Sequence, residues 1–334
     1  RYIGGEWGQI VKKHGEVDLT FALAFPDLYE IGMSHLGFRI LYNLLNGRAD
    51  TAAERVFCPW PDMAAVLRRS KSPLGTLETG TPLRDLDVVG FSLQYELTFT
   101  NILEMLDLSG IPLRTADRTE DDPLVIAGGP VSFNSEPLAE FLDMVLLGDG
   151  ELLLPEFIDR LKRLRSAGAG RRQVLEAMSE MDGVYVPSLY STEREDGNGL
   201  LVPVPAGGAP AVVSRRILND LDDFPFPSRI IVPHGEAVHD RVSVEIMRGC
   251  PVGCRFCQAG YIYRPTRERH PSDVRDTVLR SIRETGYNEF SLASLNTGEY
   301  GPIVPVLVDL MDRLGPGMVS TSLASMHAST LTED

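Results

Sequence analysis

The chain has 334 residues, of which 43% are hydrophobic and 24% charged, ordinary values for a folded globular protein that exclude a disordered, fibrous or collagen-like one. Its 32 Lys and Arg against 47 Asp and Glu give a net charge of −15, so it does not coat nucleic acid or anionic membrane non-specifically. The uncharged stretch Gly315–Thr332 is rich in Ser, Thr, Gly and Pro and excludes a bilayer span there. The opening Arg1-Tyr2-Ile3-Gly4-Gly5-Glu6 has neither an initiator Met nor an apolar signal core, which we read as a trimmed N-terminus on a cytoplasmic protein.

After a polar lead-in, Leu19–Phe25 (LTFALAF) reads as a strand ended by Pro26-Asp27. His35–Asn46 carries a helical apolar stripe closed by Gly47. Arg55–Cys58 is a short strand, Met63–Arg69 a helix and Val88–Leu93 a continuous apolar strand. Thr98–Leu108 is a helix ended by Gly110. Leu124–Ala127 and Met144–Leu147 are strands, each running into glycines, and a helix follows to about Leu164. Strand and helix alternating about five times predict an α/β fold with a doubly wound parallel sheet over residues 1–165. Gly128-Gly129 and Gly148/Gly150 then fall at the carboxyl ends of strands, where open α/β sheets bind ligands.

Residues 166–240 change character. Arg171–Met181 reads as one more helix, and Gly183–Ser191 with Gly199–Val204 as a hairpin across the polar Glu193–Asn198 turn. Asn219–Pro233, rich in Asp, Phe and Pro, reads as a linker. Alternation resumes over 241–334: Val242–Met247, Glu289–Leu292 and Met318–Leu323 as strands, Pro271–Thr285 and Ile303–Leu314 as helices. Three strands and two helices do not close a barrel, and they leave an unpaired edge.

The chemistry-bearing signal is Cys250-Pro-Val-Gly-Cys254-Arg-Phe-Cys257. Three thiolates spaced C-x3-C-x2-C on one loop suit three irons of a cubane and leave the fourth open. A zinc ribbon needs a second Cys/His pair. The competing zinc site would have to be completed by His270. Cys58 stands alone and reads as a small buried hydrophobe.

The triplet, lying directly after a strand with Phe256 before its third cysteine, resembles the radical SAM superfamily. The resemblance implies a [4Fe–4S] cluster on Cys250, Cys254 and Cys257, S-adenosylmethionine (SAM) chelating the fourth iron, and a 5′-deoxyadenosyl radical that abstracts hydrogen from substrate. It implies Phe256 near cluster and adenine. It places the SAM amino-group contact in Ser291–Glu299, where SLASLNTGE lacks the family's glycine pair and Ser294, Asn296 or Glu299 takes the role. The third strand end, Ser322–Ser325, falls near the ribose. Seven arginines between 255 and 283 give that stretch +4, with Arg264 and Arg267 assigned to anion binding, such as the SAM carboxylate, and Arg275, Arg280 and Arg283 to a solvated helix face.

Residues 1–165 resemble the cobalamin-binding-type domain that precedes many radical SAM cores, on Gly90-Phe91-Ser92, Gly128-Gly129-Pro130 and Gly148-Asp149-Gly150-Glu151. With PDLYEIGMSHLG, RVFCPWPDM and CQAGYIYRPTRER, the whole is similar to an uncharacterised subfamily of that kind. The resemblance makes cobalamin a candidate cofactor on Ser92, Gly128, Gly129, Gly148, Gly150 and Glu151. None of the six histidines sits in the Asp-x-His-x-x-Gly pattern that ligates cobalt, so bound cobalamin is expected base-off without a protein histidine. The implied reaction is reductive SAM cleavage and modification of an unknown small-molecule, RNA or protein substrate, fed by an external electron donor, with no membrane partner. Cobalamin-dependent methyl transfer, cobalamin-independent modification such as methylthiolation of RNA or protein, and a non-catalytic iron–sulfur module stay open. Radical SAM cores resemble a partial barrel of about six β-α units. The 93 residues from Val242 hold about three, so the chain is expected to be part of a longer protein whose complete form binds SAM more tightly.

Overall fold

The computed structural model describes residues 1–330 except Asp196, Asn198, Gly207, Ser228, Glu236 and Ala324. The chain divides into two compact units: residues 1–5, 9–32 and 44–217, and residues 6–8, 33–43 and 218–334. Residues 166–217, read from sequence as part of a connecting region, belong to the first unit, and 218–240 to the second.

In chain order the elements up to residue 217 are β1 (Leu19–Phe25), α1 (Tyr29–Gly32), α2 (Leu36–Gly47), β2 (Thr51–Phe57), α3 (Pro61–Ser70), β3 (Val88–Ser92) and α4 (Phe99–Ser109). They continue with β4 (Leu124–Gly128), β5 (Met144–Leu146), α5 (Gly150–Ser166), α6 (Arg171–Met178), β6 (Val184–Tyr185), β7 (Tyr190–Arg194) and β8 (Leu201–Pro205). Strands β1 to β6 form one sheet in the order β2-β1-β3-β4-β5-β6. The pairs among β1 to β5 are parallel, and β6 lies antiparallel to β5. All seven residues of β1 are buried, as expected of a central parallel strand covered on both faces. The polar one, Thr20, is paired: its backbone N–H and hydroxyl both donate to Asp87 Oδ2 at 2.7 Å.

The expected α/β doubly wound sheet is therefore present, with one strand more than the sequence showed. Residues 183–189 were expected in a hairpin arm; instead Val184-Tyr185 joins the main sheet, and the hairpin is β7 with β8. Its turn includes Asp196 and Asn198, which lie outside the described residues. The core of this unit runs from Ala22 and Ala24 through Val89, Phe91, Val125, Ala127 and Val145 to Ile102, Met105 and Leu106 of α4.

In the second unit, β9 (Val242–Glu245) and β10 (Met247–Arg248) lead into α7 (Ala259–Ile262) and β11 (Arg267–Glu268). Then come α8 (Pro271–Thr285), β12 (Glu289–Ala293), α9 (Ile303–Leu314) and β13 (Ser320–Leu323). The parallel sheet β13-β12-β9 packs Val242, Val244, Phe290 and Leu292 with Val274, Val278, Val306 and Leu310 of α8 and α9. The alternate residues make a polar face, on which Ser243 and Ser291 exchange a hydrogen bond at 3.0 Å. Helix α8 has Pro271 at its first position, His270 as cap and Gly286 in the left-handed region at its end, which explains why its limits were readable. Among the described residues no helix is long and apolar enough to cross a membrane.

Candidate functional site

Strands β10 and β11 pair antiparallel, Met247 opposite Glu268 and Arg248 opposite Arg267. Residues 249–266 between them therefore leave and return at one place. At the base, a Cβ on Gly249 would stand 2.8 Å from the carbonyl oxygens of both Tyr263 and Pro265, so only glycine lets the return path lie so close. The loop turns where the Cys257 N–H donates to the Cys254 carbonyl at 3.0 Å. Cys250, Cys254 and Cys257 are free and partly exposed, and Phe256 beside them is 92% exposed.

Among the described residues no three His, Cys, Asp or Glu side chains gather as one metal ion requires. A cubane makes a different demand: one thiolate per iron, so its sulfurs stand around a rim. Three free thiols on one stapled loop are the donor set for that cluster. The zinc alternative relied on His270, whose Nδ1 accepts from the Ser272 N–H at 3.3 Å and faces the Ser272 hydroxyl at 2.8 Å. That nitrogen is committed to capping α8.

The Ile246 N–H donates to the Ala293 carbonyl at 3.0 Å, which sets the end of β12 beside the strand leading to the cysteines. There Asn296 is 4% exposed. Its Oδ1 accepts from the His327 N–H at 3.0 Å, while its Nδ2 has no partner among the described residues. A buried amide donor without an acceptor is costly and suits a ligand oxygen. Ser294 donates to the Thr297 hydroxyl at 3.3 Å, and Glu299 is half-buried in the following turn. Of Ser322–Ser325, the Ser322 hydroxyl accepts from Arg241 at 2.9 Å, and Ala324 lies outside the described residues.

The arginines have separate tasks rather than one patch. Arg267 is buried and donates to the carbonyls of Leu218 (2.6 Å), Pro265 (3.1 Å) and Tyr263 (3.3 Å). Arg264 lies over the Tyr261 ring at 4.4 Å. Arg275 pairs with Asp276 at 2.8 Å. Sequence reasoning missed the carboxylate at the end of β9. Glu245 accepts from Nε and Nη2 of Arg248, each at 3.0 Å, and faces Arg269 at 3.5 Å. The available signal was a Glu three residues before an Arg, just ahead of the first cysteine.

The positions assigned to cobalamin are in the first unit. Ser92 accepts from Gln94 Nε2 at 2.7 Å. Gly128 pairs with Leu146 inside the sheet. Gly129 has φ +121°, and a Cβ there would stand 2.5 Å from the Leu93 carbonyl oxygen. Gly148 has the same φ, and a Cβ there would stand 2.5 Å from the Arg216 nitrogen and collide with its carbonyl. Gly150 is the first residue of α5, and Glu151 is buried. The two left-handed glycines thus admit the close approach of the chain's own backbone.

Residues 37–187 match the family described as "Radical SAM proteins, N-terminal", and the cysteine triplet lies downstream of that match. Over residues 37–187 the chain is similar to the N-terminal part of radical SAM proteins. An uncharacterized protein of Methanocaldococcus jannaschii is 24% identical over 316 residues, covering 94% of this chain and 56% of its own length. The hopanoid C-3 methylase of Methylococcus capsulatus is 26% identical over 218 residues, covering 64% of this chain and 35% of its own length. Among solved structures, the radical SAM methyltransferase TsrM of Kitasatospora setae, with tryptophan substrate and a SAM analog bound, is 14% identical with a TM-score of 0.49, covering 89% of this chain and 52% of that one. The chain spans about half the length of the first of these relatives.

Proposed function

We propose that this chain forms the cluster- and SAM-binding part of a cytoplasmic radical SAM enzyme, which draws an electron from an external donor and modifies a small-molecule, RNA or protein substrate. The observation that carries the reading is the loop 249–266, closed at its base by β10 and β11, which presents Cys250, Cys254 and Cys257 as free, partly exposed thiols. A [4Fe–4S] cluster, when bound, supplies the electron that cleaves SAM. The chain's own residues hold and orient. The three thiolates hold the cluster. Asn296 Nδ2 donates to the SAM carboxylate, with Ser294 and Glu299 beside it. Phe256 offers its exposed ring to the adenine. Arg267 fixes the path of the return strand. Methyl transfer is the second reading for the substrate step, favoured by the likeness to the hopanoid methylase.

Anaerobic reconstitution tests this. About four irons and four sulfides per chain are expected, the stoichiometry of a cubane. Dithionite should then release 5′-deoxyadenosine from SAM. Cys254→Ala should lose the chromophore and the cleavage. Full iron in Cys254→Ala, or stoichiometric zinc in protein purified anaerobically, overturns the proposal. A cluster without SAM cleavage leaves a non-catalytic iron–sulfur module.

A further inference from the structure

In an open sheet of order β2-β1-β3-β4-β5, the chain reverses direction between β1 and β3, and ligands enter the crevice beyond the carboxyl ends of those strands. Here that crevice is bridged from within. The Tyr95 hydroxyl, three residues past β3, donates to Asp27 Oδ2, two residues past β1. Asp27 is itself buried, its Oδ1 accepts from the Leu28 N–H at 2.7 Å, and its carbonyl accepts from the Cys58 N–H past β2 at 3.0 Å. Asn101 Nδ2 donates to the Pro26 carbonyl at 2.9 Å. The loops after β1, β2 and β3 are thus tied to one another.

The other side of the edge is covered too. Leu93 extends past β3: its N–H donates to the Gly128 carbonyl at 2.7 Å, and its carbonyl fills the space that a side chain at Gly129 would need. Arg216 runs beside Gly148 as a parallel bridge. Its N–H donates to Leu147 and its carbonyl accepts from Asp149, both at 2.9 Å. Its guanidinium is fixed by Glu156 of α5 at 2.7 and 3.2 Å.

We infer that the first unit of this protein is closed at its cofactor edge by its own chain, through the Tyr95–Asp27 pair, Leu93 and Arg216, and takes no cobalamin. The unit keeps the shape of a cofactor domain and serves as a scaffold. The reaction then belongs to the radical modifications that need no cobalt-bound methyl donor. This last step rests on the function proposed above; the closure itself does not.

The test uses the purified, iron–sulfur-reconstituted protein and hydroxocobalamin in excess, followed by gel filtration. No corrin absorbance should elute with the protein, while iron is counted on the same sample. Hydrogen exchange should show the Asp149 and Arg216 amides protected, and equally so with hydroxocobalamin present. Gly148→Ala should lower the melting temperature. One corrin retained per chain, rapid exchange at Asp149 and Arg216, or an unchanged melting temperature for Gly148→Ala each overturns the inference. Missing iron with no corrin bound sinks the radical SAM reading and leaves the closure standing.

Discussion

Arg267 donates from Nη1 to the carbonyl of Leu218 at 2.6 Å, across 49 residues of sequence. The same guanidinium takes the carbonyls of Pro265 and Tyr263. A planar fork with several donors does this where a single ammonium does not. Arg267→Ala should therefore cost about 2–3 kcal/mol, the penalty of leaving buried acceptors unmet, and Arg267→Lys should recover little of it. Urea unfolding of the two variants measures this. If Arg267 held SAM instead, its loss would leave the unfolding midpoint in place and weaken SAM binding alone.

Strand β1 was legible because both of its faces are buried and its sequence, LTFALAF, is apolar almost throughout. Strand β2 was legible only at its end. It starts at Thr51, but Glu54 and Arg55 break the apolar run. Glu54 is hydrogen-bonded to His14 at 2.6 Å, 40 residues before it, and Arg55 to Glu78 at 2.6 Å, 23 residues after it. No local pattern contains those partners. The backbone partner of Arg267 was hidden for the same reason, since the Leu218 carbonyl lies 49 residues before it. The cysteine triplet needed no tertiary information, since its spacing alone sets three thiols on one loop.

Cys58 and the loop cysteines should separate by alkylation. Burial, with the charges of Glu104 and Asp27 adding to it, pushes the Cys58 thiol up to about 12. Thiolate is the reactive form, so Cys58 is inert near neutrality. Folded, cluster-free protein treated with iodoacetamide should be modified at Cys250, Cys254 and Cys257, with Cys58 modified only after denaturation. Peptide mass mapping reads the sites. Equal labelling of Cys58 in the folded state would contradict its buried place at the end of β2. Reconstitution with iron and sulfide should protect the other three.

Asp143 is fully buried and its Oδ2 accepts from Arg118 at 3.0 Å, Arg171 at 2.7 Å and the Val125 N–H at 2.7 Å. Removing one partner of a buried ion pair leaves uncompensated charge and costs about 3–5 kcal/mol. Asp143→Ala should lose about that much, because it strands two guanidinium groups. A joint replacement of Asp143, Arg118 and Arg171 by apolar residues should lose less than the single change. Chemical denaturation of both variants decides the point; equal losses would mean that packing, and not charge, sets the cost.

The Tyr95–Asp27 pair has a pH signature with a definite sign. Its hydrogen bond to Asp27, aided by burial and the carboxylate charge, pushes the Tyr95 phenol up to about 12 from its ordinary 10.0. The folded value is raised, so the pair's contribution is whole below pH 10 and fades as pH rises toward about 12. The difference in phenolate absorbance between the wild type and Tyr95→Phe should show one late-ionising tyrosine. The same pair of proteins, melted across the alkaline range, should converge in stability as that tyrosine ionises. A Tyr95 that titrates at its ordinary value would mean that the hydroxyl is not held by Asp27. Opening this bond should not by itself admit hydroxocobalamin, because Leu93 still covers Gly129 and Arg216 still lies along Gly148. Tyr95→Phe protein that retained corrin on gel filtration would assign the whole closure to one hydroxyl, against the two backbone contacts that stand beside it.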